Sequence, residues 1–496
     1  MSSGKVLIIG AGIGSSDNIT IKAKKALDSA DIIIYDRLIN SDIIREYEGS
    51  KELIYVGKKA YSEYMQQDEI NDLIIEKARS GKIIARLKGG DPYVFGRGGE
   101  EAETLVENGI DFEVIPGVTS GVVALMTAGI PATHRGKSTS VSFITGHRKE
   151  GMDFDFSPYA KIDGTLVFYM GLKNLGSISK GLINGGMDSN TPISVIMNGG
   201  YPTQKTIVST LENIEKDIEG KGFKSPSLIV VGEVVSLREK LDFFESRLLF
   251  GRTIVVTRAK NQASQLVEKL DALGANVIQA PTIEISKINS DLLNSTIKSF
   301  DYTHLVFNSV NGVEIFMDEF LAQHDIRALA NTKLCVVGLK TKEALKKYGL
   351  NADIMPENYV GEELSDAIIS NSDENSKVLL VHSLKSRKSI IDKLKKCVNT
   401  DAIPIYDSVK PEDTIELPSD IDYILFTSSS TVNNFINAYG NECINNSKIV
   451  SIGPITTKTI ESNNLSLYGE TKNATIDAMI DFLKEDVRNE FKNEKA

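Results

Sequence analysis

Short apolar runs alternate with helically spaced ones through the first 130 residues. Val6 to Ile9 is an apolar run that ends in Gly10-Ala11-Gly12-Ile13-Gly14. Asp31 to Asp36 reads as a second strand, Lys82 to Leu87 as a third and Phe112 to Ile115 as a fourth. Ile70, Leu73, Ile74 and Ala78 recur at helical spacing, and Glu100 to Glu107 reads as a helix. Strands alternating with helices predict a mainly parallel sheet. Past residue 138 the strands Val141 to Thr145, Thr165 to Met170, Ile193 to Met197, Thr206 to Ser209 and Ser227 to Val231 have fewer helices between them. The pattern predicts two α/β lobes, about 1–134 and 135–245, the second more mixed. Residues 236–250 alternate basic, acidic and apolar positions, which predicts a closing helix running into a linker at 246–250.

A new strand at Thr253 to Thr257 starts a further domain with a weak internal repeat. Thr253 to Arg258 and Asn276 to Ala280 resemble Lys377 to His382 and Ala402 to Tyr406. His304 to Ser309 resembles Tyr423 to Ser428, and Lys333 to Gly338 resembles Lys448 to Gly453. Two similar α/β lobes with a ligand cleft between them follow. The repeat leaves their connectivity open. Residues 488–496 form a charged tail.

Composition narrows the classes of function. At 496 residues the chain has room for two to four domains. No stretch is apolar and long enough to span a bilayer, and the N-terminus runs straight into a strand, so neither a membrane span nor a signal peptide is expected. Cys335, Cys397 and Cys443 are few, odd in number and far apart. They point to a reducing cytoplasm, with no disulfide frame and no metal site. A formal net charge of −11 argues against a nucleic-acid partner and requires local cations for any anionic substrate.

The chemistry-bearing stretch is Leu87 to Glu101, a loop leaving the carboxyl end of a strand, where open α/β sheets place ligands. Gly89 and Gly90 allow close backbone approach, Asp91-Pro92 makes a sharp turn that leaves one carboxylate free, and Arg97 is mounted between glycines. Gly10-x-Gly12-x-Gly14 resembles half a dinucleotide motif, with Asp36 placed as its ribose-binding acid. Ser15 stands where that pattern requires a third glycine, which weighs against nicotinamide.

Gly10 to Asp17, Tyr35 to Leu38, Val56 to Lys58 and Leu87 to Glu101 resemble the uroporphyrinogen-III C-methyltransferases of the tetrapyrrole methylase family. So do Ile115 to Ser120, Ala128 to Gly136, Thr145 to His147 and Tyr169 to Gly171, so that the resemblance covers roughly residues 4–245. It implies a two-lobed fold with S-adenosyl-L-methionine in its cleft, and a homodimer through this half. By the same resemblance Asp36 accepts a proton and Lys58 donates one. Gly89, Gly90, Asp91, Val94, Thr119, Ser120, Met170 and Gly199 would line the cofactor, with Ile13 where the family has proline. Ser15 likewise replaces an acid, so the first loop lacks a fixed φ and one charge. The implied substrate is a polycarboxylate, and Arg37, Lys59, Arg97, His134, Arg135 and Arg148 are the cations near the motif loops.

The second half carries no metal spacing, nucleophile motif or phosphate loop. Gly251 to Arg258, Ile403 to Tyr406, Phe426 to Ser429 and Ser451 to Thr456 resemble the uroporphyrinogen-III synthase family. The resemblance implies one lobe from 251–283 with 410–487, and an inserted lobe at 285–408. It implies Tyr406 as proton donor to a leaving hydroxyl. Thr427, Ser428, Ser429 and Thr456 are candidate donors to substrate carboxylates, or ordinary helix caps. Together the resemblances imply an enzyme that makes uroporphyrinogen III and methylates it twice to precorrin-2, for sirohaem and cobalamin. The alternatives are a methylase of a later corrin intermediate, or a second half that only binds a ligand.

Overall fold

The computed structural model describes residues 4–57, 65–147, 155–257, 260–280, 282, 284–356, 361–386, 388–409, 415–441, 444 and 446–494. The chain forms two compact α/β units. The first comprises Met1–Thr253, Glu268–Val277 and Ile480–Ala496; the second comprises Ile254–Val267 and Ile278–Met479. No helix among the described residues is long and apolar enough to cross a membrane.

The first sheet holds β1 (Lys5–Gly10), β2 (Ile32–Tyr35), β3 (Glu52–Tyr55), β4 (Ile83–Lys88) and β5 (Asp111–Ile115), in the order β3-β2-β4-β1-β5. All its pairs are parallel. Side chains alternate faces along each strand. Leu7, Ile9, Ile33 and Leu87 pack with Ala23 and Leu27 of the helix Ile21–Ser29. Val6, Ile8, Ile32 and Ile84 pack with Ile70, Ile74, Ala102 and Leu105 on the other face. Covering both faces of a parallel sheet gives the continuous apolar runs seen in the sequence. The edge strand β3 escaped the sequence reading because it is short and only half-buried.

The second sheet holds β6 (Val141–Thr145), β7 (Thr165–Tyr169), β8 (Pro192–Met197), β9 (Lys205–Thr210) and β10 (Ser227–Val231), ordered β6-β7-β10-β8-β9. The pair β6–β7 is parallel and the other pairs are antiparallel, which is the mixed lobe expected. After it, residues 236–250 form only one turn of α-helix, Arg238–Leu241, instead of a closing helix. Their charged residues are used in tertiary contacts: the Arg238 guanidinium donates to Glu245 at 2.8 Å and to the Ala128 carbonyl at 2.7 Å.

Downstream, the strands are β11 (Thr253–Val256), β12 (Asn276–Gln279), β13 (Glu284–Lys287), β14 (His304–Phe307), β15 (Lys333–Val336), β16 (Lys377–Ser383), β17 (Asn399–Val409), β18 (Tyr423–Phe426), β19 (Lys448–Ser451) and β20 (Gly469–Glu470). They form two sheets, ordered β12-β11-β18-β19-β20 and β13-β17-β16-β14-β15. The sequence repeat is distributed between them. Each copy gives two strands to each sheet, so β12-β11-β18-β19 and β17-β16-β14-β15 place equivalent strands in the same order. The turns correspond as well. Ser309 and Ser428 each leave a central strand in extended backbone and cap the following helix with the side chain.

Candidate active sites

Three glycine turns converge at the carboxyl ends of β1, β4 and β5. Gly12 and Gly90 exchange two backbone hydrogen bonds, at 3.2 and 2.8 Å. Gly90 has φ +71°, open to glycine without strain, and a Cβ on Gly117 would collide with the Gly90 carbonyl. Both Asp91 carboxylate oxygens are engaged: one accepts from the Tyr93 N–H at 2.9 Å, the other from the Gly117 N–H at 3.1 Å. The carboxylate expected to be free is therefore the clamp that ties the β4 turn to the β5 turn. Where the family's proline and acid are missing, hydrogen bonds hold the loop instead. Asn18 donates to the Ile13 carbonyl at 2.8 Å, Asn40 to the Gly14 carbonyl at 2.7 Å, and the Ser15 hydroxyl accepts from the Asp17 N–H at 3.2 Å.

The other expected cofactor residues border the same loops. Thr119 precedes the helix Ser120–Thr127, and its hydroxyl meets the Tyr169 hydroxyl at 2.9 Å; that phenol oxygen also accepts from the Gly121 N–H at 2.7 Å. Val94 packs against the apolar cluster of the second lobe, and Phe95 lies with its ring 4.8 Å from that of Tyr169. Met170 is 56% exposed with φ +56°, and Gly199 lies so close to Ala124 that a Cβ there would clash. Glycine floors, an exposed thioether and a helix start make a cradle of modest charge, a fit for a zwitterionic ligand with an aromatic base.

Asp36 follows β2. One oxygen accepts from the Leu38 N–H at 3.0 Å and the other faces the Arg86 guanidinium at 3.4 Å. Behind it lies a buried ion cluster that the sequence reading passed over. Arg86 and Lys88 of β4 meet one Glu101 oxygen at 3.2 and 2.7 Å. Burial pushes the Lys88 amine below its ordinary range, helped by Arg86 and opposed by Glu101. The signal in the sequence was an arginine at the centre of an apolar strand. Of the expected substrate cations, Arg37 is exposed, and His134 and Arg135 lie exposed in a turn closed by the His134–Ser138 bridge. Arg97 is bound bidentately to Glu100, at 3.0 and 2.6 Å, so its charge is already met locally. Lys58, Lys59 and Arg148 lie outside the described residues.

In the second unit Tyr406 lies on β17 beside Ser383 of β16, at a register shift between those strands. Its ring joins the apolar cluster with Phe307 and Val313, and its hydroxyl meets the Ser309 hydroxyl at 2.8 Å. Burial pushes the phenol up, and the Ser309 hydrogen bond works against that. Ser309 also accepts from the Gly312 N–H at 3.0 Å, and its neighbour Asn308 donates to Ser386 at 3.2 Å. Neither Asn308 nor Ser309 was singled out from sequence. The four hydroxyl residues proposed as substrate donors are mostly committed to the fold. Ser428 caps the helix Ser429–Tyr439, Ser429 donates to the Ile455 carbonyl at 3.1 Å, and Thr456 is buried. The Thr427 hydroxyl is buried and has no partner.

Glycine turns at the carboxyl ends of a parallel sheet, followed by a duplicated pair of α/β sheets, define a two-part enzyme. Residues 5–215 match the family described as tetrapyrrole (corrin/porphyrin) methylases, and residues 264–481 match uroporphyrinogen-III synthase HemD. A protein named porphyrin biosynthesis protein HemD, from Ruminiclostridium josui, is 40% identical over 98% of this chain and 98% of its own length. A uroporphyrinogen-III C-methyltransferase of Bacillus subtilis is 47% identical over 49% of this chain and 96% of its own. An S-adenosyl-L-methionine-dependent uroporphyrinogen III methyltransferase of Methanosarcina barkeri is 46% identical over 48% of this chain and 94% of its own. The chain belongs to the tetrapyrrole methylase family in its first half and to the uroporphyrinogen-III synthase family in its second. It is thus a methyltransferase fused to a synthase of porphyrin biosynthesis.

Proposed function

We propose that the second half closes hydroxymethylbilane to uroporphyrinogen III, and that the first half methylates that product twice to precorrin-2, on the route to sirohaem and cobalamin. One relative that spans nearly the whole chain supports a single pathway enzyme instead of two chance neighbours. The observation that carries the methylase reading is Asp36, a half-buried carboxylate on the same sheet end as the glycine cradle. When bound, S-adenosylmethionine supplies an electrophilic methyl group. Gly89, Gly90, Thr119, Ser120, Met170 and Gly199 would hold it, and Asp91 ties the β4 turn to the β5 turn. The chain's task is then to align a pyrrole carbon with that methyl and to take the proton that the macrocycle gives up as it rearranges after methylation, which falls to Asp36. Arg37, His134 and Arg135 meet the substrate's carboxylates.

In the second half Tyr406 gives its proton to the hydroxyl of hydroxymethylbilane, which leaves as water. The enclosed phenol, held by Ser309, stays protonated at neutral pH and is available as an acid. A reducing, cytoplasmic setting belongs to the same proposal and rests on the three scattered cysteines, of which Cys443 lies outside the described residues. Uroporphyrinogen III and S-adenosylmethionine given to the full chain should yield a dimethylated product by mass spectrometry. A product carrying its methyl groups only when a later corrin intermediate is supplied would move the enzyme down the pathway.

A further inference from the structure

We propose that Arg86 is the positioning residue of the Asp36 carboxylate, and that Glu101 and Lys88 set Arg86 in place. The inference rests on the reading of Asp36 as proton acceptor. Ile84, Arg86 and Lys88 share one face of β4. Ile84 packs with Ala102 and Leu105, but toward the carboxyl end the face turns charged. Arg86, Lys88 and Glu101 are 3%, 5% and 2% exposed. Burying such a group of ions is costly, and an apolar set of similar volume would serve stability as well.

The charges balance only when Asp36 is included. Inside the cluster two cations meet one carboxylate. One Glu101 oxygen collects Arg86 Nε at 3.2 Å, Lys88 Nζ at 2.7 Å and Gln67 Nε2 at 3.1 Å, while its other oxygen is buried with no partner. The remaining positive charge is directed outward. Arg86 Nη1 donates to the Leu87 carbonyl at 3.0 Å and Nη2 reaches Asp36 at 3.4 Å, so every nitrogen of the planar fork has an acceptor. Asp36 is the one member with appreciable solvent contact, its side chain 28% exposed against 1–6% for the others. Among the described residues each of its oxygens meets a single protein donor and so keeps a second lone pair for an incoming proton. The network fixes the direction of the base without blocking it.

A double-mutant cycle on the full-length enzyme tests this, with Arg86→Gln, Asp36→Asn and the pair, and with kcat and KM for uroporphyrinogen III methylation and cofactor affinity by calorimetry. Arg86→Gln should lower kcat by about 10–100-fold, less than the roughly 10²–10⁴ for loss of a general base itself, and leave cofactor Kd within a few-fold. In the Asp36→Asn background it should cost nothing further, because the group it orients is gone. Arg86→Lys, which keeps charge but not the fork, should recover part of the loss. If Arg86→Gln does not fold, Arg86→Gln/Glu101→Gln keeps the buried charge balanced and replaces it in the cycle with the same expectations. Wild-type turnover in Arg86→Gln, or an equal loss in both backgrounds, overturns the inference and leaves Asp36 as the base. Wild-type turnover in Asp36→Asn overturns the reading of Asp36, and this inference with it.

Discussion

Single side chains decide what each half can do, and two of them make sharp tests. Asp91 holds two backbone N–H groups from different turns, so Asp91→Ala leaves both without a partner. Hydrogen bonds to a charged group are worth roughly 1.5–3 kcal/mol each, so cofactor Kd should rise by about 100-fold or more. Calorimetry reads that directly, and synthase turnover should stay within a few-fold of wild type. Tyr406→Phe keeps the ring's packing and deletes only the donor. Turnover on hydroxymethylbilane should fall by about 10²–10⁴, as for a lost general acid. The linear substrate also closes spontaneously without ring inversion, so the type I isomer should accumulate. Ser309→Ala should shift the isomer ratio the same way by a smaller amount, since it loosens the phenol without removing it. Chromatographic isomer analysis checks both, and wild-type ratios in both variants would remove Tyr406 from the chemistry.

At the scale of strands and helices, most of the fold was legible because buried parallel strands are continuous apolar runs. Three strands were not: β3, β13 and β20 are short, peripheral and only partly buried, so burial never imposed a pattern on them. The repeat identified matching strands but not their sheets, because likeness within a strand is local while sheet membership is settled by long-range pairing. The candidate site was legible where backbone geometry favours particular residues, as at Gly89, Gly90 and Asp91, but the contacts of Asp91 were not. Its partner is the Gly117 N–H, 26 residues away, and no local pattern announces such a contact. Arg86 was visible as a charge within an apolar strand, but its partners Glu101 and Asp36 lie 15 and 50 residues away, so its role was not. One strand-end residue gives a pH test. His304 of β14 is buried, and burial, aided by Lys333, pushes its pKa below the ordinary histidine value. The unfolded chain then takes up a proton near pH 6.5, where the folded chain does not. Stability present above that pH is therefore lost as the pH falls below it. The melting temperature of the second unit should drop more steeply between pH 7 and about 5.5 in wild type than in His304→Asn. Parallel curves would show that His304 does not titrate differently on folding.

For the whole molecule, the two compact units carry separate candidate sites, one on the glycine turns of the first sheet and one around Tyr406. In the proposed function the chemistry links them, because uroporphyrinogen III is then the product of one half and the substrate of the other. Homodimerisation through the first half belongs to the same proposal, and light scattering of the intact chain tests it. The decisive measurement is product analysis of the intact enzyme given hydroxymethylbilane and S-adenosylmethionine together, with no other enzyme present. Two methyl groups on a macrocycle of the type III series, with two equivalents of S-adenosylhomocysteine released, is the predicted result. Type I uroporphyrinogen with an unmethylated type III fraction no larger than in a protein-free control would contradict it.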